Sequence, residues 1–428
     1  MDGMVCAIIG FMETTTRKLK LIVIGNGMAA GKFLSELATL DISKLEVTVF
    51  GAEPHGNYNR ILLSPVLSGE KDLVDIMINS IEWYQANNIQ LHTSRTVTGI
   101  NRISKMIITD TGEHFSYDKL VIATGSDPFL IPVPGVELQN VITFRDIKDV
   151  EMMLMATKEL KHAIVIGGGL LGLEAANGLM KRGMNVTVVH LTECLMEKQL
   201  DENAAELLQK NLEARGLKFK MSSTTTELTG ELKVQAVKFA DGSELKADLV
   251  VIAAGIRPNI SLAESAGLEC ERGILVNDYL KTSDPDIYAL GECVQHAGQT
   301  YGLVSPLYEM AKVCAQRLVG HVDSSYQGSV ISTKLKVTGI DLFSVGDFNG
   351  DHKTETIILH DSRNKIYRKL LIENDRLIGA VLYGDTSHSG WYFDLVFEKT
   401  STEGIRDTLM FGPGMDLGSQ NSDRILAA

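Results

Sequence analysis

The chain has 428 residues, 44% of them hydrophobic, and a formal net charge of −13. That length supports roughly two to four domains with ample core, and the acidic balance argues against nucleic acid and against anionic membrane surfaces as partners. The five cysteines, Cys6, Cys194, Cys270, Cys293 and Cys314, fall in no C-x-x-C or metal-ligand spacing, so no metal site is expected and a reducing, cytoplasmic setting is.

The apolar run Met4 to Met12 follows Asp2 and has no small-residue cleavage site after it, so it does not read as a signal peptide and is too short to span a bilayer. Residues 1–17 are expected to be a disordered leader, with Met12 an alternative start. Lys18 to Phe50 then reads as strand, turn, helix, strand, and a polar loop runs from Gly51 to Asn59. Asn87 to Thr109 alternates apolar and polar residues, which predicts antiparallel strands, with Asp110-Thr111-Gly112 as a hairpin turn. Tyr117 to Gly125 is a buried strand ending in glycine. Pro128, Pro132 and Pro134 mark a linker.

The pattern then restarts. A helix is predicted near Lys148–Leu160, followed by a strand, a glycine loop, a helix to Met180 and a strand over Asn185–Val189. A second hairpin turns at Asp241-Gly242, and Leu245 to Gly255 forms a second buried strand. Fingerprint, second strand, hairpin and a closing IATG or IAAG occur once in each half, as expected of a duplicated module. Gly273-Ile274-Leu275-Val276 and Thr282 to Glu292 follow, then a helix near Ser305 to Leu318. Asp323 to Ser329 reads as a boundary. Val330 to Phe397 is expected to be mostly strands, with a short helix near Thr402–Leu409 and a poorly ordered tail from Gly412.

Two glycine loops, about 140 residues apart, carry the chemistry. Gly25-Asn26-Gly27-Met28-Ala29-Ala30 follows Leu21-Ile22-Val23-Ile24, and Gly167-Gly168-Gly169-Leu170-Leu171-Gly172 follows Ala163-Ile164-Val165-Ile166. In this context the first glycine makes the tight turn, the second admits the pyrophosphate, and the small third residue lets helix and strand pack closely. Two such loops imply two dinucleotides, and the simplest use of two is to pass a hydride between them.

The order GNGMAA, YDKLVIATGSDP, GGGLLGLEAA, VIAAGIRPN and TSDPDIYALGEC resembles the flavoprotein reductases with two dinucleotide-binding domains, over roughly residues 18 to 411. The loop Glu53 to Ser64 is similar to that of rubredoxin and ferredoxin reductases. Together with MEKQLD (Met196 to Asp201) and GECVQH (Gly291 to His296), it resembles most closely the amino-terminal flavin module of the NAD(P)H-dependent nitrite reductase large subunit. The resemblance implies an α/β fold of two Rossmann-like domains plus a small α+β C-terminal domain. The expected division is FAD-binding over 18–143 and 271–322, NAD(P)H-binding over 144–270, the C-terminal domain over 323–411 and a flexible tail over 412–428. The cysteines that would ligate an iron–sulfur cluster and a siroheme in the full nitrite reductase subunit are missing from this sequence. An electron-entry module is therefore expected, stand-alone or as one subunit.

By the same resemblance, Gly25, Gly27, Ala30 and Gly31 hold the FAD pyrophosphate. Glu53 takes the ribose, Thr124 and Gly125 close near the cofactor, and Gly291 and Glu292 meet the ribityl–phosphate part. Arg60 and Ser64 lie near the flavin or phosphates. Arg60 as a surface arginine, Glu53 as a solvated loop acid and Glu292 as an ordinary C-terminal strand acid remain the alternatives. Gly167, Gly169, Leu171, Gly172 and Gly255 belong to the NAD(P)H site, with Glu174 facing the nicotinamide–flavin contact or, as the alternative, standing as a helix-surface acid. His190 stands where an NADH enzyme commonly has an acid, with a loop histidine touching nothing as the alternative, and the absence of a following arginine leans the choice toward NADH over NADPH. The implied chemistry is hydride transfer from NAD(P)H to FAD, then electrons onward to a small redox protein or a reductase catalytic subunit. A disulfide reductase is disfavoured, since neither C-x-x-x-x-C nor C-x-x-C occurs, and so is an NADH peroxidase or coenzyme A disulfide reductase, since Leu63-Ser64-Pro65 carries no cysteine. An oxygen-using NADH oxidase and a flavin-bound redox sensor stay open, as does a homodimer. Trp391, Tyr392 and Phe393 are read as core or interface aromatics, with a place near the flavin as the alternative.

Overall fold

The computed structural model describes residues 17–330, 332–337 and 339–414. The leader expected over 1–17 therefore lies almost wholly outside the described residues, as do Cys6 and nearly all of the tail.

The first glycine loop rises from the centre of a five-stranded parallel sheet. Its strand order is Ile287–Ala289, Lys119–Ile122, Leu19–Ile24, Leu45–Phe50 and Ile89–His92. Val23 stands between Val49 and Val121, all fully buried, as expected of a strand covered on both faces. Helix Met28–Ala38 lies against helix Val304–Leu318, so a segment some 270 residues further along the chain completes the first module's core. Ile89–His92 departs from the predicted antiparallel pairing. It joins the parallel sheet through Val47↔Ile89, because its alternating pattern occupies a sheet edge. The antiparallel strands expected nearby are Val97–Asn101, Met106–Thr109 and His114–Ser116.

The second module repeats the first. Val141–Thr143, Leu249–Ile252, His162–Ile166, Asn185–Val189 and Lys218–Lys220 form a parallel sheet in that order, beside an antiparallel trio at 225–229, 236–239 and 244–246. The helix Glu202–Ala214 starts at Asp201, whose side chain accepts from the Ala204 N–H. The two modules are stitched together where each leaves its sheet. Ser126–Pro128 pairs antiparallel with Ile256–Pro258, so the proline-marked exit is in part a strand.

The C-terminal unit is an antiparallel sheet in the order Ser332–Val337, Ile340–Gly346, Arg376–Tyr383, Ile366–Glu373 and Glu355–Asp361. Helix Ser389–Glu398 packs on it. That segment was expected to be strand. The structure gives it a helix and leaves only short 3-10 turns at Glu403–Ile405 and Leu409–Phe411. Its buried Tyr392 and partly buried Trp391 and Phe393 belong to this unit's core, and none of the three lines the cavity described below. Among the described residues no helix is long and apolar enough to cross a membrane.

Candidate active site

Gly25 ends its strand with φ +104°, and a Cβ there would overlap the Ala123 carbonyl oxygen. Gly27 caps helix Met28–Ala38 with φ −77°, and a Cβ on it would meet nothing within 4 Å. One glycine thus serves the turn and the other keeps open the space over the helix N-terminus, where unpaired N–H groups and the helix dipole favour an anion. Ala30 and Gly31 are buried behind this loop. Gly31 has no side chain because the amide of Asn57 fills its place. Asn57 is fully buried and donates from Nδ2 to Asn26 O (3.0 Å) and Gly27 O (2.8 Å). The loop carbonyls are thereby tied back. Tyr84 Oη donates to Asn26 Oδ1 at 2.7 Å.

These glycines open on a cavity of about 440 Å³. Glu53 borders it just past the second strand, accepting from Tyr58 Oη (2.7 Å) and pairing with Arg60 (2.7 Å). Arg60 therefore faces the cavity and not bulk solvent. On the far side Thr124, Gly125 (φ +72°), Gly291 (φ +92°) and Glu292 line the wall. The Glu292 carboxylate accepts from Ser126 Oγ at 2.7 Å and pairs with Arg145. The side-chain nitrogens Asn26 Nδ2, Arg60 Nε and Arg145 Nε are buried and have no hydrogen-bond partner. Unsatisfied donors around an open glycine cradle suit a ligand rich in phosphate and ribose acceptors, so the residues present fit FAD.

The second cradle copies the first. Gly167 has φ +123° and a Cβ on it would overlap Ala253 O, Gly169 faces open space, and Gly172 lies against the Gly167 carbonyl. Gly255 has φ +117° with open space beside it, matching Gly125. Helix Leu170–Lys181, which starts at Gly169, projects Leu171 and Glu174 into the first module's cavity. Ser64 is not on the cavity wall. Its Oγ donates to Glu174 Oε2 at 2.5 Å. Burial raises the Glu174 carboxyl to about 7, against the downward pull of the Ser64 hydroxyl. His190 turns under the loop, where Nδ1 accepts from the Gly168 N–H at 3.0 Å.

Glu53, Arg60, Glu174 and Glu292 thus share one cavity, walled by the first glycine loop and by Leu170 and Leu171 of the second, whereas Gly167, Gly169, Gly172, His190 and Gly255 do not line it. Asn57, Tyr58, Ser126 and Arg145 are the residues that sequence reasoning missed. Asn57 and Tyr58 stood inside the singled-out Glu53 to Ser64 loop, whereas nothing in sequence marked Arg145. Ser332 and Thr333 of the C-terminal unit also reach the cavity. The four described cysteines are free and none lines it.

The family model described as pyridine nucleotide-disulphide oxidoreductase matches residues 19–316, and that of the rubredoxin NAD+ reductase C-terminal domain matches residues 332–400. The chain is 46% identical to a nitrite reductase [NAD(P)H] of Bacillus subtilis over 411 residues, covering 95% of this chain and 51% of that one. It is 47% identical to the assimilatory nitrate reductase electron transfer subunit of the same organism, covering 86% and 48%. It therefore spans about half the length of the curated relatives it matches. The solved NADH:rubredoxin oxidoreductase of Clostridium acetobutylicum superposes with a TM-score of 0.76 at 26% identity, covering 92% of this chain and all of that one.

Proposed function

The chain belongs to the pyridine nucleotide-disulphide oxidoreductase family, and on that premise we propose that it is the electron-entry reductase of a larger system, oxidising NAD(P)H and handing the electrons to a protein acceptor. One observation carries this reading: a single cavity is walled by the first glycine loop and by Leu171 and Glu174 from the helix that begins at the second. Two dinucleotides seated on these cradles would meet there. When bound, FAD supplies the hydride-accepting and electron-releasing chemistry.

The chain's own residues do the rest. Gly25 and Gly27 shape the FAD pyrophosphate cradle, with Ala30 and Gly31 closing the helix onto its strand. Glu53, held by Tyr58 and Arg60, offers its carboxylate to the ribose. Glu292, steadied by Ser126 and Arg145, faces the ribityl part. Gly167, Gly169, Gly172 and Gly255 do for NAD(P)H what their counterparts do for FAD. Glu174 sits where the two ring systems would stack, and its bond to Ser64 ties the two modules at that point. The reacting rings need dry walls, which Leu171, Leu63 and Leu307 supply. The four described thiols lie outside the cavity, which supports electron export over disulfide chemistry. Burial raises those of Cys270 (to about 11), Cys293 and Cys314. The acceptor is read as a rubredoxin-like or iron–sulfur protein or a reductase catalytic component, in keeping with relatives named for nitrite, nitrate-linked and rubredoxin reduction. A cytoplasmic location is part of the same proposal.

The test is anaerobic reduction of the purified flavoprotein by NADH and by NADPH, followed by rubredoxin, ferredoxin or a nitrite or nitrate reductase component. Rapid bleaching of the flavin band and rapid reoxidation by one protein acceptor are expected. Bleaching that only oxygen reverses would favour an oxidase and overturn the proposal, as would a protein that cannot be loaded with FAD.

A further inference from the structure

We infer that Glu197 is the carboxylate that receives the adenosine ribose of NAD(P)H and sets a preference for the coenzyme without a 2′-phosphate. The inference rests on the reading of the second glycine cradle as the NAD(P)H site. In such a unit an acid at the end of the second strand ordinarily takes the ribose diol. Here that strand ends at Val189 and the next residue is His190, which is only 8% exposed.

Neither ring nitrogen of His190 is available to a ligand. Nδ1 accepts from the Gly168 N–H at 3.0 Å, which places the ring hydrogen on Nε2. Nε2 faces Glu197 Oε2 (3.1 Å), Cys194 O (3.1 Å) and Thr192 Oγ1 (2.9 Å). The chain meanwhile doubles back onto the loop. Met196, at φ +53°, donates its N–H to Gly168 O at 3.1 Å. Gly168 is so closely covered that a Cβ on it would meet Leu195 at 2.7 Å and His190 at 2.8 Å.

Glu197 is the next residue after Met196. Its side chain is 40% exposed and its carboxylate is held by His190. The acid missing from the strand end is thus returned to the rim of the loop from a position seven residues on, with the buried imidazole as its anchor. A carboxylate there can accept both ribose hydroxyls and repels a 2′-phosphate. Glu197 is not the only acid on this turn, since burial first, and then the nearby carboxylates Glu202 and Glu193 among others, push the Cys194 thiol up. Lys198, exposed and adjacent in sequence, is the rival determinant of opposite sign.

The experiment compares the FAD-loaded wild type with Glu197→Gln, Glu197→Arg and Lys198→Ala. It reads kcat/KM for NADH and NADPH, and calorimetric binding of ADP-ribose and 2′-phospho-ADP-ribose. Glu197→Arg should move both ratios toward the phosphorylated ligand by about tenfold or more, Glu197→Gln by less, and Lys198→Ala little. The shift should lie in KM and in the dissociation constants, not in the ratio of kcat values. Ratios within about twofold of wild type in both Glu197 variants, or a larger response from Lys198→Ala, would overturn the assignment. If the wild type binds neither ADP-ribose and neither coenzyme bleaches its flavin, the reading of the cradle itself fails, and the inference with it.

Discussion

Ser64 donates its hydroxyl to Glu174 across 110 residues of sequence, joining helix Leu63–Ser68 of the first module to helix Leu170–Lys181 of the second. The carboxyl is raised from its ordinary 4.5 to about 7, chiefly by burial. The native protein therefore keeps a proton there that the unfolded chain releases. The stabilisation from that proton is fully present below about pH 4.5 and is lost as pH rises through about 7. Glu174→Gln removes the titration and keeps a neutral polar group. Melting temperatures of the holoprotein should show the variant gaining on wild type between about pH 5 and pH 8. Parallel pH profiles would show that the carboxyl does not titrate in this range.

Gly169 and Gly172 stand three residues apart yet should fail in different ways. Gly169 has φ −80° and open space at its Cβ position, so Gly169→Ala should change stability by less than about 0.5 kcal/mol. The added methyl would, however, occupy the space proposed for the pyrophosphate, and NAD(P)H should bind at least about tenfold more weakly while FAD stays. Gly172→Ala would press a methyl onto the Gly167 carbonyl and should cost about 1–3 kcal/mol in stability. Urea unfolding beside coenzyme titration separates the two. Loss of FAD from Gly169→Ala would show the two cradles to be assigned the wrong way round.

What could be read from sequence were the features with strict local requirements. Gly25 and Gly167 need positive φ, and Val23 and Val165 need burial on both faces, so loops and central strands stood out. Helix Ser389–Glu398 did not, because Trp391, Tyr392 and Phe393 suit a strand locally and only packing against the C-terminal sheet decides for helix. His190 was visible as a departure, but its role was not, since its partners Gly168, Cys194 and Glu197 become neighbours only after the chain folds back. Arg145 met its carboxylate across 147 residues, a relation with no periodicity or spacing to betray it.

Arg145 supplies the cation for Glu292 inside the cavity. Both side chains are largely buried, at 16% and 14% exposure. Removing one partner of such a pair leaves an uncompensated charge, a loss of about 3–5 kcal/mol when burial is complete. Arg145→Ala should therefore lower stability by a sizeable part of that and release FAD during gel filtration. Arg145→Ala combined with Glu292→Gln should recover much of the stability, because no buried charge is then left alone. If the single variant melts like wild type and keeps its flavin, the pair contributes nothing to either.

Asn57 and Gly31 should be coupled in the same way, through space. The Asn57 amide occupies the position of a Gly31 Cβ and holds the carbonyls of Asn26 and Gly27. Gly31→Ala alone drives a methyl into that amide, and strain of this kind costs about 1–3 kcal/mol. Asn57→Ala alone leaves two loop carbonyls without their donor, at about 1–3 kcal/mol for a buried polar group. In the double variant the methyl at position 31 enters space that Asn57 has vacated, so its own penalty should largely vanish. The double variant should then be more stable than the sum of the singles predicts, by about 1 kcal/mol or more. FAD affinity should fall with Asn57→Ala whether or not Gly31 is changed, because the loop carbonyls are no longer tied back from the pyrophosphate cradle. Strict additivity in urea unfolding would mean that the amide can swing aside at no cost, and that Asn57 does not hold the first loop in shape.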